Sequence, residues 1–240
     1  MKYLLQRLAN SLGYEFRRLH TAAENDAFLF ARGLIHAPKP VVFDVGAHDG
    51  ETARRLRQLF PAARIHCFEP FPDSCVLLEQ ATNGDRDTSI HRVGLSNRQG
   101  TATMNCNAST ATNSLLGTDP RARETWGEGL LDTGGTIEIP ITTLDDFCEG
   151  EGIERIDLLK IDTQGAEYAV LEGAAQLLAR RAVAVLVFEM ITASTYAGQR
   201  SPSEYFTLLQ TRGYGFTGVF SPIYRNGLLA QCDIAFTPAL

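Results

Sequence analysis

Five short runs of strand-forming residues, at positions 41–45, 64–68, 89–95, 156–161 and 182–188, recur between stretches with helical spacing. The runs at 41–45, 156–161 and 182–188 are predominantly apolar and lack a regular polar–apolar alternation. Strands of that kind are buried on both faces and belong to parallel sheets, whose crossovers place helices above and below. The pattern constrains the chain to an α/β fold, a mostly parallel sheet with helices on both faces. Helices are expected over about 22–34, over 51–59 up to Pro61, over 72–81 with Pro72 in the first turn, over 167–179, and over 203–212 before Gly213.

Strands at 215–220 and 232–236, joined by a turn-rich stretch with Asn226 and Gly227, are expected as a C-terminal antiparallel hairpin. A short alternating strand at 137–142 leads into a helical turn at Thr143 or Leu144. Turn residues at 97–100 and the run 101–105 predict an edge hairpin that continues from 89–95. Residues 106–136 are rich in Asn, Ser, Thr and Gly and carry the lone Trp126. A segment of that length inside a domain is usually functional or disordered.

Residues 1–37 read as an N-terminal helical extension and 38–240 as one domain. In the extension, Leu4, Leu5, Leu8, Leu12, Phe16 and Leu19 recur at helical spacing with Arg7, Arg17 and Arg18 between them. That face suits packing at the domain edge, a membrane surface, or a homo-oligomer contact. The net charge of −6 argues against nucleic acid as a partner. No apolar run reaches the roughly 18–20 residues of a transmembrane segment. Cys67, Cys75, Cys106, Cys148 and Cys232 form no CxxC pair. They read as reduced thiols of a cytoplasmic protein, not as a disulfide framework or a zinc site.

In open parallel sheets, ligands bind beyond the carboxyl ends of the strands, so residues just after each strand carry the functional weight. The first such loop has Asp44, Gly46 and Gly50 around His48. Its spacing fails the GxGxxG of nicotinamide-dependent reductases, and no GK[ST] of a P-loop follows. Glu69 follows the second strand, where an acid can accept hydrogen bonds from both ribose hydroxyls. The two features together point to a bound nucleoside. Asp162 and Glu189 sit at neighbouring strand exits. Such a pair can hold a divalent cation such as Mg2+ through oxygen ligands, or share a proton and act as a base. His48 is a third candidate base, because an imidazole takes up protons near neutral pH. Glu167 opens a helix, where the dipole alone accounts for a carboxylate.

The segments VVFDVGAHDGET, HCFEPFPDS, VGLSNRQG, ITTLDDF, IDLLKIDTQGAEYAVLEGA and VFEM, in this order over about 41–190, resemble the FkbM-type branch of class I S-adenosylmethionine-dependent methyltransferases. The resemblance implies a Rossmann-like sheet, S-adenosyl-L-methionine as cofactor, and O-methylation of a sugar, glycan or small-metabolite hydroxyl. It implies that the loop from Asp44 through Gly46 and His48 to Gly50 lines the methionine part. Glu69, with Pro70 beside it, would bind the ribose; Gly94, Leu95 and Ser96 would lie near the adenine. Asp162 would face the methionine amino group or the acceptor, and His48, Asp162 and Glu189 are the candidate bases. The 106–136 excursion, with Asn113, Ser114 and Trp126, is the expected acceptor lid. Family members commonly carry KIDVEG where this chain has Lys160-Ile161-Asp162-Thr163-Gln164-Gly165. That departure keeps open the alternative of a nucleoside-binding scaffold domain without catalysis.

Overall fold

The computed structural model describes residues 25–239. A seven-stranded sheet forms the centre, in the order β3-β2-β1-β7-β8-β10-β9. Its strands are β1 (Val41–Val45), β2 (Arg64–Phe68), β3 (Thr88–His91), β7 (Ile156–Ile161), β8 (Val183–Ile191), β9 (Tyr214–Arg225) and β10 (Leu228–Pro238). Strands β3, β2, β1, β7 and β8 pair in parallel, while β10 runs antiparallel to both β8 and β9. This is the mainly parallel, Rossmann-like sheet expected, with the C-terminal antiparallel hairpin. The hairpin turns at Asn226 and Gly227, both with positive φ, as a two-residue connection of right-twisted strands requires.

Strand order reverses between β1 and β7. The two crossovers leave in opposite directions there, and a crevice opens over their carboxyl ends. Successive residues of a strand face opposite sides of a sheet. Accordingly, Phe43 and Val45 join Leu159, Ile161 and Phe188 in one core layer, while Val42 joins Leu158, Val185 and Val187 in the other. The second layer lies under α1 (Ala27–Leu34), α2 (Glu51–Leu59) and α3 (Pro72–Ala81). The first lies under α5 (Leu144–Glu151), α6 (Glu167–Glu172), α7 (Ala175–Ala179) and α8 (Pro202–Thr211). The helical face expected from Leu4 to Leu19 falls outside the described residues.

Three expectations are corrected. The run 89–95 is not one strand. The chain leaves the large sheet after His91, and β4 (Gly94–Leu95) joins β5 (Gly100–Asn107) and β6 (Thr133–Thr142) in a second sheet ordered β4-β6-β5. No edge hairpin forms there, because β4 and β5 both take their partners from the distant β6. The helix expected over 167–179 is two helices. Gly173 packs so closely on the Ser96 carbonyl that a Cβ would lie 2.0 Å from its oxygen. Beyond the break, the Asp145 carboxylate accepts from the N–H groups of Gln176 and Leu177 at 2.8 and 3.0 Å and so caps α7. The 106–136 excursion is largely built: it holds the end of β5, a 3-10 turn at Thr110–Thr112, the helix α4 (Ala122–Trp126) and the start of β6.

Candidate active site

The loop after β1 is held by its backbone. The N–H groups of Gly46 and Ala47 both donate to the Phe68 carbonyl, at 3.0 and 3.1 Å, and Asp162 N–H donates to the Val45 carbonyl at 3.0 Å. Gly46 has φ +74°, and a Cβ there would stand 1.8 Å from the Asp162 carbonyl oxygen. Only glycine lets the first loop and the β7 exit meet this closely. His48, also at positive φ, donates its N–H to Glu69 Oε2 at 2.9 Å. Phe71 N–H donates to Glu69 Oε1 at 2.9 Å, so each carboxylate oxygen is fixed by one backbone donor. Burial pushes the Glu69 carboxyl above its ordinary range, against the pull of those two N–H groups.

The parity that builds the two core layers also builds a row of charge. Asp44 lies two residues after Val42, Lys160 two after Leu158, Asp162 two after Lys160, and Glu189 two after Val187. All therefore project on the same side of the sheet, and register places Asp44 opposite Lys160 and Glu189 opposite Asp233 of β10. Lys160 Nζ stands 3.0 Å from Asp44 Oδ1, 3.8 Å from Asp162 Oδ2, and donates to the Gly46 carbonyl at 3.0 Å. Burial alone would lower the Lys160 ammonium, but Asp44 and then Asp162 outweigh it and keep it charged. Burial pushes Asp233 up to about 6, with Asp162 adding to the effect.

Gln164 ties the row to the excursion. Its backbone is left-handed at φ +56°. Its Nε2 donates to Asp162 Oδ1 at 2.8 Å and to Glu189 Oε2 at 3.0 Å, and its Oε1 accepts from the Tyr196 hydroxyl at 2.8 Å. Ser114 Oγ donates to the Gln164 carbonyl at 2.6 Å. Glu189 Oε1 accepts from Gln231 Nε2 at 2.8 Å. Glu167 is fully buried and accepts from the N–H groups of Thr163 and Gly165 at 2.8 and 3.0 Å. Burial pushes its carboxyl up to about 7. It is therefore a structural clasp on the 163–165 turn, more than the helix-dipole carboxylate expected from its position.

Above these residues a cleft of about 220 Å³ lies between the two sheets. Its polar wall carries His48, Glu69, Lys160, Asp162 and Gln164, and its apolar wall carries Leu95, Met104, Leu115 and Ile139. Gly46, Pro70 and Gly94 also border it. His48 Nε2 is 2.9 Å from Thr110 Oγ1, at the partly exposed mouth. Asn113 lines the cleft with its Oδ1 taken by Asn107 N–H at 2.8 Å and its buried Nδ2 without a partner among the described residues.

Four expected positions fall off this wall. Asp44 is fully buried beneath it and meets Lys160 instead of the cleft. Gly50 packs against Leu78 and Ala81 at the start of α2. Ser96 is turned into the second sheet, its N–H on the Thr142 carbonyl at 2.9 Å. Glu189 lies inside β8, which continues to Ile191, and both its oxygens are spent on glutamine amides. The cation expected between Asp162 and Glu189 also meets an obstacle, since the Gln164 amide already fills that position. Trp126 is not over the cleft; its indole N–H donates to Thr195 Oγ1 at 2.8 Å, and α4 packs on Ile191 and Tyr196. Lys160 and Tyr196 were not singled out from the sequence. A lysine inside IDLLKI was a readable signal, because a charge in a buried strand needs a partner. Tyr196 lies in an irregular stretch and gave none.

Residues 44–216 match the profile of the methyltransferase FkbM domain. The chain is 31% identical over 151 residues to the 2-O-methyltransferase NoeI of Sinorhizobium fredii (strain NBRC 101917 / NGR234), covering 61% of this chain and 62% of that protein. The chain thus spans less than two thirds of that relative's length. It is 28% identical over 226 residues to the 31-O-demethyl-FK506 methyltransferase FkbM of Streptomyces tacrolimicus, covering 85% of this chain and 83% of that one. Among solved structures, an rRNA methylase from Streptococcus thermophilus aligns with a TM-score of 0.52 at 11% identity, over 89% of this chain and 94% of that one. That last likeness is one of fold.

Proposed function

The chain belongs to the FkbM methyltransferase family, and from that premise we propose that it moves a methyl group from S-adenosyl-L-methionine to a hydroxyl oxygen of a sugar or other small metabolite. Oxygen as the acceptor is supported by the two relatives, whose names both specify an O-linked methyl position.

The observation that carries the reading is Glu69. It stands buried at the β2 exit, on the cleft wall, with each oxygen fixed by one backbone N–H. A carboxylate oxygen has two acceptor sites, so a lone pair on each stays free for the adjacent hydroxyls of a ribose. The apolar wall of Leu95, Met104, Leu115 and Ile139 suits the flat face of an adenine, and the unpartnered Asn113 amide suits an acceptor atom on its edge. Around Lys160 the carboxylates outnumber the cations, which suits a ligand that carries positive charge.

When bound, the cofactor supplies a methyl group already activated on a sulfonium. The chain must then align an oxygen and take up its proton. Asp162, oriented by Gln164 and facing Lys160, is assigned to the amino end of the cofactor. His48 is assigned the proton: its Nε2 is bonded to the Thr110 hydroxyl, at the mouth where an acceptor would enter. Glu189 takes no part as a base in this reading, and no cation is placed between it and Asp162. Thr110 and Ala111, at the mouth, would shape the acceptor pocket. The five free thiols accord with a reducing cytoplasm.

Incubation with methyl-labelled cofactor and a panel of hydroxylated sugars and metabolites tests the reading. His48→Gln is expected to lower kcat by roughly 100-fold or more, the scale of lost general-base catalysis. Its KM for the cofactor should stay within about twofold, since uniform binding is untouched. Unchanged kcat in that variant would remove His48 from the mechanism.

A further inference from the structure

The Gln164 amide bridges two members of a carboxylate cluster. Asp162, Glu167 and Glu189 each bring one carboxylate oxygen within 4.8 Å of the others. That spacing is what oxygen ligands take around a hard divalent cation. Carboxylates so close together repel one another unless positive charge or hydrogen-bond donors lie between them. Here the donor is a neutral amide. The two hydrogens of Gln164 Nε2 go to Asp162 Oδ1 at 2.8 Å and Glu189 Oε2 at 3.0 Å. The orientation of that amide is determined by the two carboxylates, which accept from its nitrogen; the flipped amide would set oxygen against oxygen. The single hydrogen of the Tyr196 hydroxyl is shared between Gln164 Oε1 at 2.8 Å and the Thr112 carbonyl at 3.1 Å, and Ser114 Oγ holds the Gln164 backbone. The side chain is therefore positioned by fixed contacts on three sides.

We propose that Gln164 is a cation surrogate. It holds Asp162 and Glu189 in the arrangement a divalent ion would impose, and so makes this cleft independent of metal. The same geometry implies that one substitution, Gln164→Glu, turns the cluster into a site for a hard divalent cation, with four carboxylates converging and the amide donor between Asp162 and Glu189 gone. Gln164 acts through Asp162 and is a positioning residue.

The experiment is a titration of the full chain with Mn2+, read by the electron paramagnetic resonance of the free ion. Wild type is expected to bind no ion tighter than about millimolar, the weak end of carboxylate sites. Gln164→Glu is expected to bind one Mn2+ per chain at least roughly tenfold tighter, and Gln164→Glu/Glu189→Gln to lose that binding. A wild-type protein that binds one Mn2+ per chain, abolished by Glu189→Gln, overturns the proposal, as does a folded Gln164→Glu that binds none. Should Gln164→Glu fold only in the presence of Mn2+, the dependence itself is the expected result. Should it not fold at all, the wild-type titration with its Glu189→Gln control decides between the same two outcomes. The proposal does not rest on methyl transfer, because binding of S-adenosyl-L-homocysteine by the same samples is read separately.

Discussion

Lys160 is the member of the charge row whose loss should be felt most. Its ammonium is buried with the Asp44 carboxylate at 3.0 Å, and Asp44 is fully inaccessible, with no other partner for either oxygen among the described residues. Lys160→Met keeps most of the volume and removes the charge. Breaking a buried pair from one side leaves an uncompensated ion, at a cost of about 3–5 kcal/mol. For a chain of this size each kcal/mol moves the melting temperature by roughly 2–4 °C, so a fall of about 6–20 °C is expected. Replacing both partners, in Asp44→Val/Lys160→Met, removes the stranded charge and should recover most of the loss. Chemical denaturation of wild type, both single variants and the double variant gives the coupling energy, expected at about 2 kcal/mol or more. A Lys160→Met protein that melts within about 2 °C of wild type, or additive single-variant losses, would refute the claim that the pair is mutually dependent.

Gly46→Ala forces a Cβ into the Asp162 carbonyl at a φ of +74°; denaturation should show a loss of about 3 kcal/mol or more, together with loss of cofactor binding. Glu167 has a carboxyl pushed to about 7 in the folded chain, above its ordinary 4.5. The folded state thus holds the extra proton between these values, and the contribution of Glu167 to stability is fully present below about pH 4.5 and is lost as pH rises through 7. The full loss is about 3 kcal/mol by proton linkage, and melting curves of Glu167→Gln should flatten over that window, since Gln can still accept from Thr163 and Gly165.

The parallel centre of the large sheet was legible because its strands are buried on both faces, which writes predominantly apolar runs such as 183–188. The second sheet was not, since β4 has two residues and owes its place to Ile141 and Thr142, far along the chain. Periodicity carries no information about such partners. Strand-exit reasoning brought Gly46, His48, Glu69 and Asp162 to one cleft, because the carboxyl end of a parallel sheet is where loops must converge. It misplaced Asp44 and Glu189, which lie one and two residues short of their strand ends and so sit within the sheet, beneath the cleft. Lys160 projects on the same side of the sheet as Asp44 and could have been paired with it once the register was known. The role of Gln164 required side-chain geometry: sequence shows an amide where an acid is common, but not that its nitrogen spans two carboxylates.

The central claim is that the cleft binds the nucleoside of S-adenosyl-L-methionine through Glu69. Calorimetric titration of wild type and Glu69→Ala with S-adenosyl-L-homocysteine tests it most directly. The account predicts one molecule bound per wild-type chain and an affinity roughly 10–100-fold weaker in Glu69→Ala, the value of hydrogen bonds to a charged group. Absence of binding by the wild type, or equal affinity in the two proteins, would contradict it.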